Sequence, residues 1–124
     1  MYTITDEQFE ALITKAMDDL PQVYITNMEN VAITMADEPT PAQIEQMKIR
    51  DGVILLGLFE GAPKTISGSG LFPSRITLFK HSILKVVRSD TELYEQIKRT
   101  LWHEIAHYYG LSHRDMHERQ NKRK

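Results

Sequence analysis

The chain has 124 residues, of which 41% are hydrophobic and 26% charged, with a formal net charge of -2 and no cysteine. That length suits one domain, 1–124, with a single modest core. The missing thiols exclude disulfides and thiolate metal ligands, and no apolar run approaches the roughly 18 residues that cross a bilayer.

Thr5 and Gln8 have the spacing of a capping box. Phe9, Leu12, Ile13, Ala16, Met17 and Leu20 follow at helical intervals and predict a first helix with its stripe in the core, stopped by Pro21. This region is acidic: residues 1–45 carry nine acids against one base, Lys15. Its plain meaning is a solvated acidic surface. The N-terminus lacks a basic stretch leading into an apolar one, so a secretory signal is not expected and the cytoplasm is.

Val31, Ile33 and Met35 alternate with Ala32 and Thr34, which predicts a half-buried strand ended by Asp37-Glu38-Pro39. Thr40-Pro41-Ala42-Gln43 reads as a second capping box opening a short helix that ends near Asp51-Gly52. The apolar run Val53 to Phe59 predicts a strand covered on both faces. A long loop rich in Gly, Ser and Pro, 61–74, leads to the strand Arg75 to Lys80. His81 to Val87 suits a helical turn, with His81 a surface or capping residue. Ser89 and Glu92 form a third capping box, which opens the last long helix. The last eleven residues hold five bases against Asp115 and Glu118. Bases so few, without interleaved aromatics, argue against nucleic acid as a partner.

The last helix carries His103-Glu104-Ile105-Ala106-His107-Tyr108-Tyr109-Gly110-Leu111-Ser112-His113, a full HExxHxxGxxH pattern. Residues four apart lie one turn apart on one face, so His103 and His107 can reach the same metal ion. Glu104, one position on, is placed to take a proton from a metal-bound water. Gly110 can take the left-handed conformation that ends the helix, after which His113 can return as third ligand. Three protein ligands leave a fourth position for water, as in catalytic zinc sites. Leu93, Ile97, Leu101, Ile105 and Tyr108 draw an apolar stripe roughly 200° around the helix from the two histidines, which turns the histidines away from the core. Tyr109 is a better candidate than the core-facing Tyr108, or than Tyr94, for a phenol that stabilises an oxyanion. His117 and Met116 read more simply as tail and filler residues.

With these pieces in order, from Asp19-Leu20-Pro21 through Leu56-Gly57-Leu58-Phe59-Glu60-Gly61 and Arg75-Ile76-Thr77-Leu78-Phe79 to the His103 motif, the chain resembles the small bacterial zincin-like metallopeptidases. The resemblance implies an α+β, minimal zincin-like fold: a small mixed sheet packed against the motif helix and an N-terminal helix. It implies one zinc per chain on His103 and His107, with Glu104 as general base. The position of His113 is often acidic in such proteins, so histidine here changes the ligand's charge more than its role. The metzincins are similar over the motif alone, because only eleven residues follow His113 and leave no separate Met-turn. The expected activity is hydrolysis of a peptide or protein substrate paired with a sheet edge, for which Arg75 to Lys80 is the candidate. The 61–74 loop would form a rim or lid. The rival readings are a zinc-binding interaction module and a zinc hydrolase acting on something other than peptides.

Overall fold

Thr5 caps the first helix, α1 (Asp6–Asp19), in the manner its spacing predicts: the Gln8 N–H donates to the Thr5 hydroxyl at 3.1 Å, and the Thr5 N–H donates to the Gln8 amide oxygen at 2.9 Å. The computed structural model describes residues 3–61 and 73–111. Phe9, Ile13, Ala16 and Leu20 of the expected stripe are buried. Pro21 ends α1 but also opens a short helix, α2 (Gln22–Thr26). Five residues are too few to show a helical period in the sequence.

The alternating segment forms β1 (Val31–Ala36). The second capping box is also formed, and it opens α3 (Pro41–Gln46). This helix stops well before Asp51-Gly52, because Lys48 adopts a positive φ of 56°, outside the helical region. The apolar run 53–59 is a strand only from Gly57, as β2 (Gly57–Glu60), with Val53 and Ile54 exposed at 56% and 44%. The cause is the partner strand, β3 (Ser74–Phe79). Phe79 closes β3 with an N–H that donates to Leu56 at 2.9 Å, and the chain then turns into α4 (Lys80–Leu84), so residues before Leu56 have no strand opposite. The last helix is α5 (Asp90–Tyr109). Its N-terminus departs from a full capping box: Ser89 accepts from the Glu92 N–H, but the Glu92 carboxylate reaches one residue further back, to the Arg88 N–H at 2.9 Å.

The sheet has the order β1-β3-β2, with β1 parallel and β2 antiparallel to β3. The expectation that Arg75 to Lys80 forms an edge is therefore corrected: this strand is the middle one. Ile76, Thr77, Leu78 and Phe79 are all buried, as a central strand covered on both faces requires. Ile33, Ile76 and Phe59 stand in one row, and Met35, Leu78 and Gly57 in the next. That face receives α5, since a Cβ on Gly57 would sit 2.7 Å from the Thr100 methyl and 3.2 Å from Leu78. Glycine lets β2 lie directly on the helix. On the other face, Gln43 donates to Glu60 at 3.2 Å and ties α3 to β2.

The core stripe of α5 is present as expected: Leu93, Ile97, Leu101, Ile105 and Tyr108 are each at most 1% exposed. Leu93, Ile97, Leu101 and Ile105 pack with Phe9, Ile13, Ile76 and Leu78, and the Tyr108 ring meets that of Phe59, so the N-terminal helix and the sheet together hold α5. Each such side chain contributes about 1.5–3 kcal/mol through burial. The result is the α+β arrangement of a small mixed sheet against two helices. Among the described residues, no helix is long and apolar enough to cross a membrane.

Candidate metal centre on the last helix

His103, Glu104 and His107 occupy the last two turns of α5, just before its cap. One turn separates the two imidazoles, whose ring centroids are 4.4 Å apart at 68°. His107 is exposed, His103 half-buried and Glu104 only 6% exposed. One ligand atom from each of the three lies within 4.8 Å of the others. Neighbouring ligands on a tetrahedral zinc, with bonds of about 2.0–2.1 Å, stand roughly 3.4 Å apart. Small side-chain rotations would therefore bring both imidazoles onto one ion, and the residues present fit the metal.

The Glu104 Oε1 atom lies 3.3 Å from His107 Nδ1. Hydrogen bonding to this carboxylate pulls the His107 pKa above its ordinary value of 6.5, burial opposes the shift, and the carboxylate's charge adds to it. The burial of Glu104 is a feature the motif did not show. It lies three residues after Leu101 and four before Tyr108, on the flank of the core stripe, between Thr100 and Tyr108, which meet Gly57 and Phe59 of β2. A 270 Å³ cleft runs alongside, with Leu55, Leu56 and Gly57 on one wall and Gln96, Arg99, Thr100, His103 and Glu104 on the other. Sequence reasoning passed over Gln96, Arg99 and Thr100. Their spacing ahead of His103, one turn for Arg99 and Thr100 and two for Gln96, was the signal that could have found them.

Gly110 ends the helix as expected, with φ 71° and ψ 27°. The Leu111 N–H donates to the Ala106 carbonyl at 3.0 Å and the Gly110 N–H to that of His107 at 3.1 Å, the paired bonds of a Schellman ending. His113, Met116 and His117 lie outside the described residues, as does the 61–74 loop apart from its ends.

The tyrosines are engaged elsewhere. Tyr109 donates its hydroxyl to the Tyr24 carbonyl at 2.5 Å, and burial pushes its pKa up to about 12. Its ring meets that of Tyr24 edge-on at 5.1 Å, and Tyr24 in turn meets Trp102 at 5.4 Å. Tyr109 thus ties α5 to α2, and its hydroxyl is engaged there rather than at the histidines. Tyr109→Phe is expected to cost about 1 kcal/mol, the ordinary worth of one hydrogen bond, in urea unfolding and to leave zinc content unchanged. Tyr108 accepts from the Glu29 N–H at 3.1 Å. Tyr94 donates to the Asp19 carboxylate and to the Lys15 carbonyl, and burial raises its pKa further than that of Tyr109. His81 sits at the surface, with its two ring nitrogens each 3.6 Å from an acid, Asp37 and Glu38.

With this geometry in place, comparison with known proteins adds two findings. Residues 28–123 match the family described as zincin-like metallopeptidase. Among solved structures, a conserved hypothetical protein from Thermus thermophilus superposes with a TM-score of 0.57 at 23% identity, over 86% of this chain and 94% of that one. That likeness concerns the fold. Comparison with curated proteins finds no match.

Proposed function

The chain belongs to the zincin-like metallopeptidase family, and from that premise we propose that it is a zinc-dependent peptidase, with His103, His107 and His113 as ligands and Glu104 as general base. One observation carries the reading: a buried carboxylate and two imidazoles converge within 4.8 Å beside a cleft. When bound, zinc lowers the pKa of water toward about 7 and polarises a carbonyl.

Glu104 supplies the proton transfers. Its carboxylate takes a proton from the attacking water and returns it to the leaving amine, so that the amine departs neutral. Its burial limits the positions the carboxylate can adopt, which orients it before substrate arrives. His107, at 3.3 Å, fixes one of its oxygens. The substrate-pairing role passes from the Arg75 to Lys80 strand to β2. That strand pairs with β3 on one side, and no strand lies on its other side among the described residues. An extended peptide can add there by main-chain hydrogen bonds, with its side chains entering the cleft.

The deciding experiment is metal content by mass spectrometry on the wild type, His107→Ala and His113→Ala, each purified and then offered zinc. The wild type should hold about one zinc per chain, as three-ligand sites do, and both variants should lose it or bind it far more weakly. A wild type that takes up no zinc would overturn the proposal.

A further inference from the structure

The cleft beside Glu104 has a cation on its wall that the hydrolytic machinery does not use. Arg99 is exposed and stands one helical turn before His103, about 6 Å along the axis. Its guanidinium Nη1 donates to Gln96 Oε1 at 3.4 Å, and Gln96 Nε2 donates to Thr100 Oγ1 at 2.9 Å. Thr100 is buried against Gly57, so this short chain of contacts runs from the helix–strand contact to the guanidinium. Among the described residues, no carboxylate pairs with Arg99. Arg75, by contrast, is taken up by Glu60. Glu104 is the one acid on the described walls of the cleft, and it is buried.

An arginine fork matches a carboxylate in shape and charge. An extended peptide advances about 3.3 Å per residue, so a cation about 6 Å along the helix from His103 lies opposite the residue roughly two positions from the bond cleaved. We infer that Arg99 selects substrates bearing a carboxylate at that distance, from an acidic side chain or from the chain's own C-terminus. The inference rests on the peptidase reading of the site. It goes beyond that reading in assigning a substrate class and a specificity-determining residue.

The test is equilibrium binding to zinc-loaded Glu104→Gln protein, with zinc content measured first. The probes are peptide mixtures of equal length carrying an uncharged coumarin label, read by fluorescence anisotropy. One mixture carries a single glutamate and an amidated C-terminus. The second has glutamine in its place. The third has glutamine and a free C-terminal carboxylate. The first or third should bind about tenfold or more tighter than the second, the scale of one charge-assisted hydrogen bond, and which of them does so identifies the carboxylate's source. Adding Arg99→Ala should remove the preference, and Arg99→Lys should keep only part of it, because an ammonium lacks the fork. Equal binding of all three, a preference that survives Arg99→Ala, or no binding to zinc-loaded protein would each overturn the inference while leaving the metal site intact. A protein that takes up no zinc would instead remove the site on which the inference rests.

Discussion

Glu104→Gln is expected to keep its zinc and lose its hydrolysis. Glutamine has nearly the same shape, and its amide oxygen can still accept from His107 Nδ1, which lies 3.3 Å from the carboxylate in the native protein. The buried position therefore remains filled. Glutamine cannot take a proton, so the general-base contribution disappears, which is worth about 10²–10⁴ in rate. The measurement pairs metal content with turnover of a peptide library. Zinc bound in both forms, with biological activity unchanged in the variant, would favour an interaction module in place of a peptidase. Activity on small esters or amides, with none on peptides, would favour a different zinc hydrolase.

Ile105→Ala is the core substitution expected to do the most damage near the site. Ile105 is fully buried between Glu104 and Ala106, on the side of α5 that packs against the sheet and α1. Truncating a buried isoleucine costs about 2–5 kcal/mol, a large part of the roughly 5–15 kcal/mol that holds a domain together. Urea unfolding of the zinc-free protein reads the loss. Adding zinc at about 100 times its Kd should recover roughly 2.7 kcal/mol, since the ion would bind only the folded chain, where His103 and His107 stand one turn apart on α5. A loss well under 1 kcal/mol would mean that this stripe is not the support of the site.

Much of this arrangement was legible beforehand, for identifiable reasons. The caps of α1 and α3 are local hydrogen bonds whose partners lie three residues apart, so the pattern names both atoms. The α5 stripe is a periodicity over many turns, and Gly110 marks its end. The sheet was harder. Nothing local to Arg75–Lys80 says whether it has one neighbour or two, and the answer depends on pairing with β1, far away in the chain. The apolar run 53–59 has the composition of a strand, yet pairing begins only where β3 stands opposite. The same limit applied at the site. The two histidines and Glu104 follow from the motif, but the burial of Glu104 and the cleft holding Arg99 come from β2 lying across the helix. Tyr108 is buried as its place on the stripe requires, but the hydrogen bonds of the tyrosines near the motif were not legible, because their partners, Tyr24 and Glu29, belong to an element too short to announce itself and to the turn after it.

The sheet order also bears on how the protein assembles. The β2–β3 pairing is antiparallel and joins neighbouring segments, whereas the parallel β1–β3 pairing joins Val31–Ala36 to Ser74–Phe79 across all of α3 and β2. Closing the longer loop carries the greater entropy cost, and non-local parallel pairing is slow. The hairpin, with α5 laid on it through Gly57, therefore has the easier route to form first, and β1 docks onto a surface already made. The half of the domain that bears the histidines and the cleft would then be the early half. Substitutions in β1 would mainly change how fast the finished protein comes apart, and those at Gly57 how fast it comes together.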